Sequence, residues 1–187
     1  AFDGDADRCL AVDEKGELID GDQLIAICAK AYKEKGSLNK DTAVVTVMSN
    51  LGFKHFAGRN NIKMQTTKVG DRYVLEKMLE GGYNLGGEQS GHIIFLDEAN
   101  TGDGQLSGAK VLEILAESGK KMSELASVME KFPQVMINVK ITPKDREVWK
   151  NDSQITDLIE HYENELGDSG RILVRESGTE PLIRVML

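Results

Sequence analysis

The sequence contains few of the residues that characterise secreted, fibrous or membrane-spanning proteins. Its 187 residues include only two cysteines and three prolines, which excludes a disulfide-stabilised framework and a collagen-like or proline-rich chain. No stretch approaches the ~20 consecutive apolar residues that a membrane helix requires, and the first residues lack the basic and apolar regions of a signal peptide. We therefore expect a soluble cytoplasmic protein in which Cys9 and Cys28, each in an apolar run, are reduced thiols.

Basic residues are also scarce relative to acidic ones. The chain has 23 Lys and Arg against 31 Asp and Glu, a net charge of −8, which disfavours non-specific attraction to nucleic acid or to an anionic membrane. A local basic pocket for a small anion remains compatible with this charge. The chain begins at Ala1-Phe2 and ends inside the β-like run 181–187, so we expect it to be part of a longer protein.

Apolar periodicity divides the chain into two regions. Strand-like and helix-like segments alternate up to about residue 117, which favours an α/β domain with a mostly parallel sheet. The remainder predicts a strand, a helix that ends at Gly167 and a final hairpin, a small α+β unit. We place the domain limits at 1–19, 20–120 and 121–187.

An acidic loop follows the first two residues. Asp3, Asp5 and Asp7 alternate with Gly4 and Ala6, and three neighbouring carboxylates are best explained by a hard divalent cation such as Mg²⁺ or Ca²⁺. A solvated acidic turn is the alternative.

A calcium-binding helix-loop-helix motif matches this loop only in part. Asp3, Asp5, Asp7 and Glu14 occupy its first, third, fifth and twelfth places, but its sixth place requires Gly and holds Arg8. An arginine beside carboxylates is better explained by a phosphate that shares the site with the metal. Mg²⁺ is therefore preferred over Ca²⁺.

The segment Gly86-Gly-Glu-Gln-Ser-Gly-His92 precedes an apolar strand and lacks the spacing of a dinucleotide-binding motif. Glu88, Ser90 and His92 alternate, so in an extended loop they would point the same way and offer an acceptor, a hydroxyl and an imidazole to one ligand. Such a set suits the hydroxyls of a sugar. A tight turn with a capping glutamate remains the alternative.

Two further segments could bind an anion. Arg175 and Arg184 bracket the run Ser177-Gly178-Thr179, whose amides and hydroxyls could hold a phosphate, although an ordinary hairpin turn can look similar. The segment 68–72 lies between a strand and a helix, so its amides could meet an anion at the helix N-terminus, aided by Lys68 and Arg72.

The motifs DGDADR, KVGDRY, GEQSGH and RESGTEP occur in this order along the chain. In sequence and order they resemble those of the α-D-phosphohexomutase superfamily, whose members have four domains. The resemblance covers the whole chain: the end of the second domain, a complete third domain and a fourth domain without its last part. The VGDRY run, the Gln of GEQSGH and the run Thr101–Gln105 resemble the branch that acts on glucosamine phosphates.

The resemblance implies roles for individual residues. Asp3, Asp5 and Asp7 would bind Mg²⁺, and a phosphoserine oxygen would complete the metal site. Arg8 would lie beside that phosphate, and His92 would lie near the sugar, where it could assist proton transfer. Sugar hydroxyls would be bound by Glu88 and Ser90, with Lys68 and Arg72 as lesser substrate contacts. The phosphate that is not transferred would be bound by Arg175, Ser177, Gly178, Thr179 and Arg184.

The implied reaction interconverts glucosamine 6-phosphate and glucosamine 1-phosphate through a bisphosphate, on the route to UDP-N-acetylglucosamine and cell-wall precursors. The phosphorylated serine of the family lies in a Ser-His-Asn-Pro-like stretch, and none of the serines in this sequence has that context. We therefore expect this chain alone to be inactive. The same chemistry on mannose or glucose phosphates, and a non-catalytic module that binds metal or sugar phosphate, stay open, as does a homodimer of the complete enzyme.

Overall fold

Strands and helices alternate through most of the computed structural model, which describes residues 1–142, 145, 148–177 and 180–187. The chain divides into two units, Ala1–Phe132 and Pro133–Leu187. The elements of the first unit are β1 (Ala11–Val12), β2 (Leu18–Ile19), α1 (Gly21–Glu34), β3 (Thr42–Thr46), α2 (Leu51–Arg59), β4 (Lys63–Thr67), α3 (Asp71–Gly81), β5 (Leu85–Gly87), β6 (Ile93–Phe95), α4 (Gly104–Ser118) and α5 (Met122–Ala126).

Helix α1 forms the centre of the first unit. Asp20 caps it in a reciprocal arrangement with Gln23, in which each side chain bonds the other residue's backbone N–H. Its residues from Leu24 to Ala29 are almost completely buried and pack with β3, α2 and α4 in one core. No described helix has the length and apolar character that a membrane crossing demands.

The main sheet has the strand order β4-β3-β5-β6. Strands β4 and β5 both pair in parallel with β3, whose five residues are all buried, and β6 pairs antiparallel with β5 at the edge. The predicted α/β class with a mostly parallel sheet is confirmed. Because β3, β4 and β5 run the same way, the loops at 47–50, 68–70 and 88–92 lie at one edge, where ligands bind in open α/β sheets.

Helix α5 lies in the first unit, although the sequence analysis places the second domain at 121–187. Leu125, Ala126 and Met129 belong to the main core of the first unit, and Lys131 pairs with Asp20 at 2.7 Å. This packing explains why the two units separate after Phe132 rather than after residue 120.

The described residues of the second unit form a three-stranded antiparallel sheet and one long helix, as the α+β prediction requires. Its strands β7 (Met136–Lys140), β8 (Leu173–Glu176) and β9 (Leu182–Met186) have the order β7-β9-β8, and its helix α6 spans Ser153–Leu166. Apolar side chains of α6 and the sheet, among them Ile159 and Val185, line a cavity of about 340 Å³.

Candidate functional site

The acidic loop is closed by an antiparallel bridge between Phe2 and Cys9. Ala6 has a positive φ of 59°, and its N–H bonds the carbonyl of Asp3, so the loop turns tightly on itself. One carboxylate oxygen of Asp3 accepts the backbone N–H of Arg8 at 3.3 Å, and the other lies 3.8 Å from its Nε. Asp3 and Asp5 are exposed, so both can meet a ligand from solvent.

The segment 88–92 is a tight turn between β5 and β6. The Glu88 N–H donates a hydrogen bond to the His92 carbonyl at 2.9 Å, which joins the two ends of the turn, and Gly91 adopts a φ of 95°. The expected extended loop is not observed, because this bond and the bond from the Gly91 N–H to the Glu88 carbonyl at 3.0 Å fold the segment into the alternative, a tight turn. Ser90 is exposed, whereas His92 is 5% exposed.

His92 connects this turn to the acidic loop. Its Nδ1 lies 3.1 Å from Oδ2 of Asp7, and because an ionised carboxylate only accepts hydrogen bonds, the imidazole is the donor. Partial desolvation of Asp7 raises the pKa of its carboxyl group. The hydrogen bond with His92 and the charge of the nearby Arg8 lower this pKa by more, so that it lies below its ordinary value. Asp7 therefore stays ionised at neutral pH.

Glu88 connects the same turn to the loop before α3. Its Oε1 accepts the N–H of Gly70 at 2.9 Å, and Gly70 is the N-cap residue of α3 with a φ of 129° and no side-chain cap of its own. The alternative of a capping glutamate is thus realised, on a neighbouring helix. Lys68 is exposed, and Arg72 is held at 2.8 Å by Glu76 one turn along α3.

The structure therefore brings together three of the predicted segments in the first unit: the acidic loop, the loop before α3 and the hairpin turn. A fourth segment, the start of α4, also contacts them, although its sequence was not assigned to the site. The Gly104 N–H bonds the carbonyl of Ala6 at 3.0 Å, and Gly102 packs against the His92 ring. The sequence feature that could have indicated this contact is the Thr101-Gly-Asp-Gly run, which served above only to choose a branch of the superfamily.

The second unit holds the arginine-rich hairpin of β8 and β9. Arg175 and Arg184 are directly opposite each other in the antiparallel register, a placement of like charges that is unfavourable by itself. Glu180 pairs with Arg184 at 2.9 Å, and the Ser177 hydroxyl accepts the Glu180 N–H at 3.3 Å. Gly178 and Thr179, also predicted phosphate ligands, lie outside the described residues.

Within the described part of the chain, no group of three or more His, Cys, Asp or Glu side chains is already gathered as a metal cage. The chemistry of the acidic loop nevertheless fits a hard cation, since it offers three carboxylates within five residues and the pKa of Asp7 is lowered. To bind a metal ion, the Asp3 carboxylate would have to give up its ion pair with Arg8.

Comparison with family models shows to which protein family the chain is related. Residues 20–132 match the model described as phosphoglucomutase/phosphomannomutase, alpha/beta/alpha domain III, and residues 136–187 match the model of the C-terminal domain of the same family. The chain belongs to the phosphoglucomutase/phosphomannomutase family. The resemblance to the α-D-phosphohexomutase superfamily that the four motifs carry is thereby confirmed.

Curated relatives of this phosphoglucomutase/phosphomannomutase chain match it from end to end. It is 59% identical over 187 residues to the phosphoglucosamine mutase of Clostridium acetobutylicum, covering 42% of that protein. Identity to the phosphoglucosamine mutase of Brevibacillus brevis is 56% over 188 residues, covering 41% of that protein. The chain thus spans about two fifths of the length of these relatives.

Solved structures of the family share the fold. An Aspergillus fumigatus N-acetylphosphoglucosamine mutase in complex with GlcNAc-6P and magnesium is similar with a TM-score of 0.81 and 21% identity, over 100% of this chain and 44% of that one. An N-acetylglucosamine-phosphate mutase in its product complex gives 0.78 and 23%, over the same shares of the two chains. At these identities the likeness shows the fold alone.

Proposed function

We propose that this chain carries the metal-binding, sugar-binding and phosphate-binding parts of a phosphoglucosamine mutase, which interconverts glucosamine 6-phosphate and glucosamine 1-phosphate. The observation that supports this most directly is the contact between acidic loop and hairpin turn, made by His92 and Asp7 at 3.1 Å. This contact supports the proposal because the acidic loop has carboxylates suited to a hard cation and the hairpin turn has groups suited to a sugar. Identities of 54–59% with relatives named phosphoglucosamine mutase support the amino sugar as substrate.

Asp3, Asp5 and Asp7 would hold Mg²⁺ in this proposal. The ion would neutralise charge on the phosphoryl group during transfer, a process that depends on electrostatic stabilisation and positioning more than on covalent help from the protein. Because Asp3 now holds the Nε of Arg8 at 3.8 Å, a cation bound to Asp3 would weaken that pair. The Arg8 guanidinium could then donate charge-assisted hydrogen bonds to the phosphate.

Glu88 and Ser90 would bind the sugar from the hairpin turn. A carboxylate accepts hydrogen bonds with both oxygens, so Glu88 can accept from a sugar hydroxyl while Oε1 holds the N–H of Gly70. Ser90 is exposed in the same turn and can both donate and accept. His92 is better suited to orient Asp7 than to transfer a proton, because its ring is buried and its Nδ1 is engaged.

Arg175, Ser177 and Arg184, together with Gly178 and Thr179, would hold the phosphate that is not transferred. The direct opposition of the two arginines supports this role, because an anion placed between two like charges turns a repulsion into two attractions. The Nε of Arg184 is buried without a hydrogen-bond partner among the described residues. A phosphate oxygen would satisfy such a donor.

The complete reaction would use a phosphoserine outside this chain. The phosphoserine would give its phosphoryl group to the sugar phosphate, the bisphosphate would turn around, and the other phosphate would return to the serine. The product would enter the cytoplasmic route to UDP-N-acetylglucosamine and peptidoglycan precursors. The 187-residue chain alone would then be inactive.

Substrate competition in the complete protein tests this function. With Mg²⁺ present, we expect kcat/KM for glucosamine 6-phosphate to exceed that for mannose 6-phosphate and glucose 6-phosphate by ~10-fold or more. Asp5→Asn should abolish turnover, and Glu17→Gln, an exposed acid in the neighbouring hairpin, should leave it unchanged. Higher kcat/KM for mannose or glucose phosphate would transfer the assignment to that branch, and no turnover of any of the three would favour a non-catalytic binding module.

A further inference from the structure

The segment before α4 leaves no room for a side chain beside His92. Gly102 is buried, and a Cβ built on it would lie 2.2 Å from Nε2 and 2.4 Å from Cε1 of the His92 ring. Its φ lies outside the positive region that favours glycine, so the backbone itself would accept alanine. The requirement for glycine at this position is therefore the space taken by the imidazole.

The His92 backbone is fixed on both sides of the turn. Its carbonyl accepts the Glu88 N–H at 2.9 Å, and the carbonyl of the preceding Gly91 accepts the Cys9 N–H at 3.0 Å. With this backbone held, only rotation of the side chain can relieve a collision at Gly102. Such a rotation would carry Nδ1 away from the 3.1 Å contact with Asp7.

The segment that contains Gly102 is also held in place. Asp103 caps α4 by accepting the N–H groups of Gln105 and Leu106 at 2.8 and 3.0 Å. A Cβ on Gly104 would lie 2.6 Å from the carbonyl oxygen of Arg8, so the helix start and the acidic loop are in close contact. The segment cannot shift without breaking the cap or this contact.

We propose that Gly102 is a positioning residue of the metal site: by leaving space for the His92 ring, it keeps His92 hydrogen-bonded to Asp7 and the Asp7 carboxylate oriented toward the cation. The inference rests on the proposed binding of Mg²⁺ by Asp3, Asp5 and Asp7. Loss of a hydrogen-bond partner behind a metal ligand typically weakens metal binding about 10–100-fold. The Gly102→Ala substitution should act through the same loss, without touching a ligand.

The test is a titration of the complete protein with Mn²⁺, followed by electron paramagnetic resonance of the free ion. Gly102→Ala should weaken Mn²⁺ binding about 10-fold or more, while Gly58→Ala, at a position in α2 with nothing within 4 Å of the added carbon, should leave it unchanged. His92→Ala removes the whole ring, including Cδ2, which would lie 2.5 Å from the added carbon. Gly102→Ala should therefore have no further effect in the His92→Ala background.

The outcomes separate this proposal from the proposed function. If the complete wild-type protein binds no Mn²⁺ that Asp5→Asn removes, the metal assignment fails and this proposal fails with it. If Mn²⁺ binds but Gly102→Ala binds it equally well, only the role of Gly102 is overturned. Equal losses in the wild-type and His92→Ala backgrounds would also overturn it, because the effect would then not pass through His92. The ¹⁵N NMR signals of the His92 imidazole, recorded without metal, should shift in Gly102→Ala and not in Gly58→Ala.

Discussion

The Asn50→Ala substitution should destabilise the first unit strongly, because Asn50 joins three parts of it at the carboxyl edge of the sheet. Asn50 is 3% exposed. Its Oδ1 accepts the N–H of Gly52, which caps α2, and the N–H of Phe132, at 2.9 and 3.0 Å. Its Nδ2 donates to the Phe132 carbonyl at 2.9 Å, and its backbone N–H donates to Asp22 at 2.7 Å.

Alanine would keep only the backbone contact with Asp22. Loss of a helix N-cap costs about 1 kcal/mol, and loss of each of the two hydrogen bonds to Phe132 costs about 1 kcal/mol. The sum is about 3 kcal/mol, which corresponds to a roughly 100-fold larger population of the unfolded first unit. Asn60→Ala, at the other end of the same helix, removes a single 2.8 Å bond to the Phe56 carbonyl and should cost no more than about 1 kcal/mol.

Hydrogen exchange read by mass spectrometry suits a chain of two units, because it reports each unit separately. Amides of the buried strand β3 should exchange by unfolding of the first unit, and their exchange should become about 100-fold faster in Asn50→Ala. A change no larger than that of Asn60→Ala would refute the reasoning, since it would show that the three side-chain bonds of Asn50 contribute no more than the single bond of Asn60.

Three further predictions concern other parts of the first unit. Burial raises the pKa of the Cys28 thiol to about 12, and Cys9 is also buried, so iodoacetamide at pH 8 should label neither cysteine before unfolding, as peptide mass spectrometry would show. A hydrogen bond from Ser123 lowers the pKa of Glu14, so the ionised Glu14 stabilises the fold at neutral pH, and this stabilisation is lost as the pH falls through the lowered pKa. Ser123→Ala should make the free energy of unfolding fall less steeply with pH in acid titrations. An unchanged pH profile would contradict this prediction. Asp103→Ala should destabilise the first unit by about 1–2 kcal/mol in urea, while Asp103→Asn should cost only a few tenths; equal costs would argue against capping.

The long, strongly periodic elements could be predicted from the sequence. The apolar spacing over 72–80 predicts a helix, which is observed as Asp71–Gly81. The β-branched run at 42–47 predicts a buried strand, which is observed as the central strand β3. Strand β5 was missed, because its Gly86 and Gly87 are typical of a loop. Gly86 is required there by packing, since a Cβ would lie 2.7 Å from the sulfur of Met78.

The residue types of the candidate site could also be predicted, but not their contacts. His92 and Asp7 are separated by 85 positions along the chain, and no local spacing encodes such a pair. The alternation of Glu88, Ser90 and His92 suggested an extended loop, whereas hydrogen bonds across the segment fold it into a turn in which Ser90 is exposed and His92 is buried. The role of Glu88 as a cap for α3 depends on the parallel order of β4, β3 and β5, which arises only from tertiary packing.

The central claim is that this chain supplies three of the binding parts of a phosphoglucosamine mutase and depends on a phosphoserine elsewhere in the complete protein. Phosphorus NMR of glucosamine 6-phosphate mixed with Mg²⁺ and either the complete protein or the 187-residue chain tests it most directly. The account predicts that the glucosamine 1-phosphate signal grows with the complete protein and never appears with the chain alone. An unchanged spectrum with the complete protein, or conversion by the isolated chain, would contradict it.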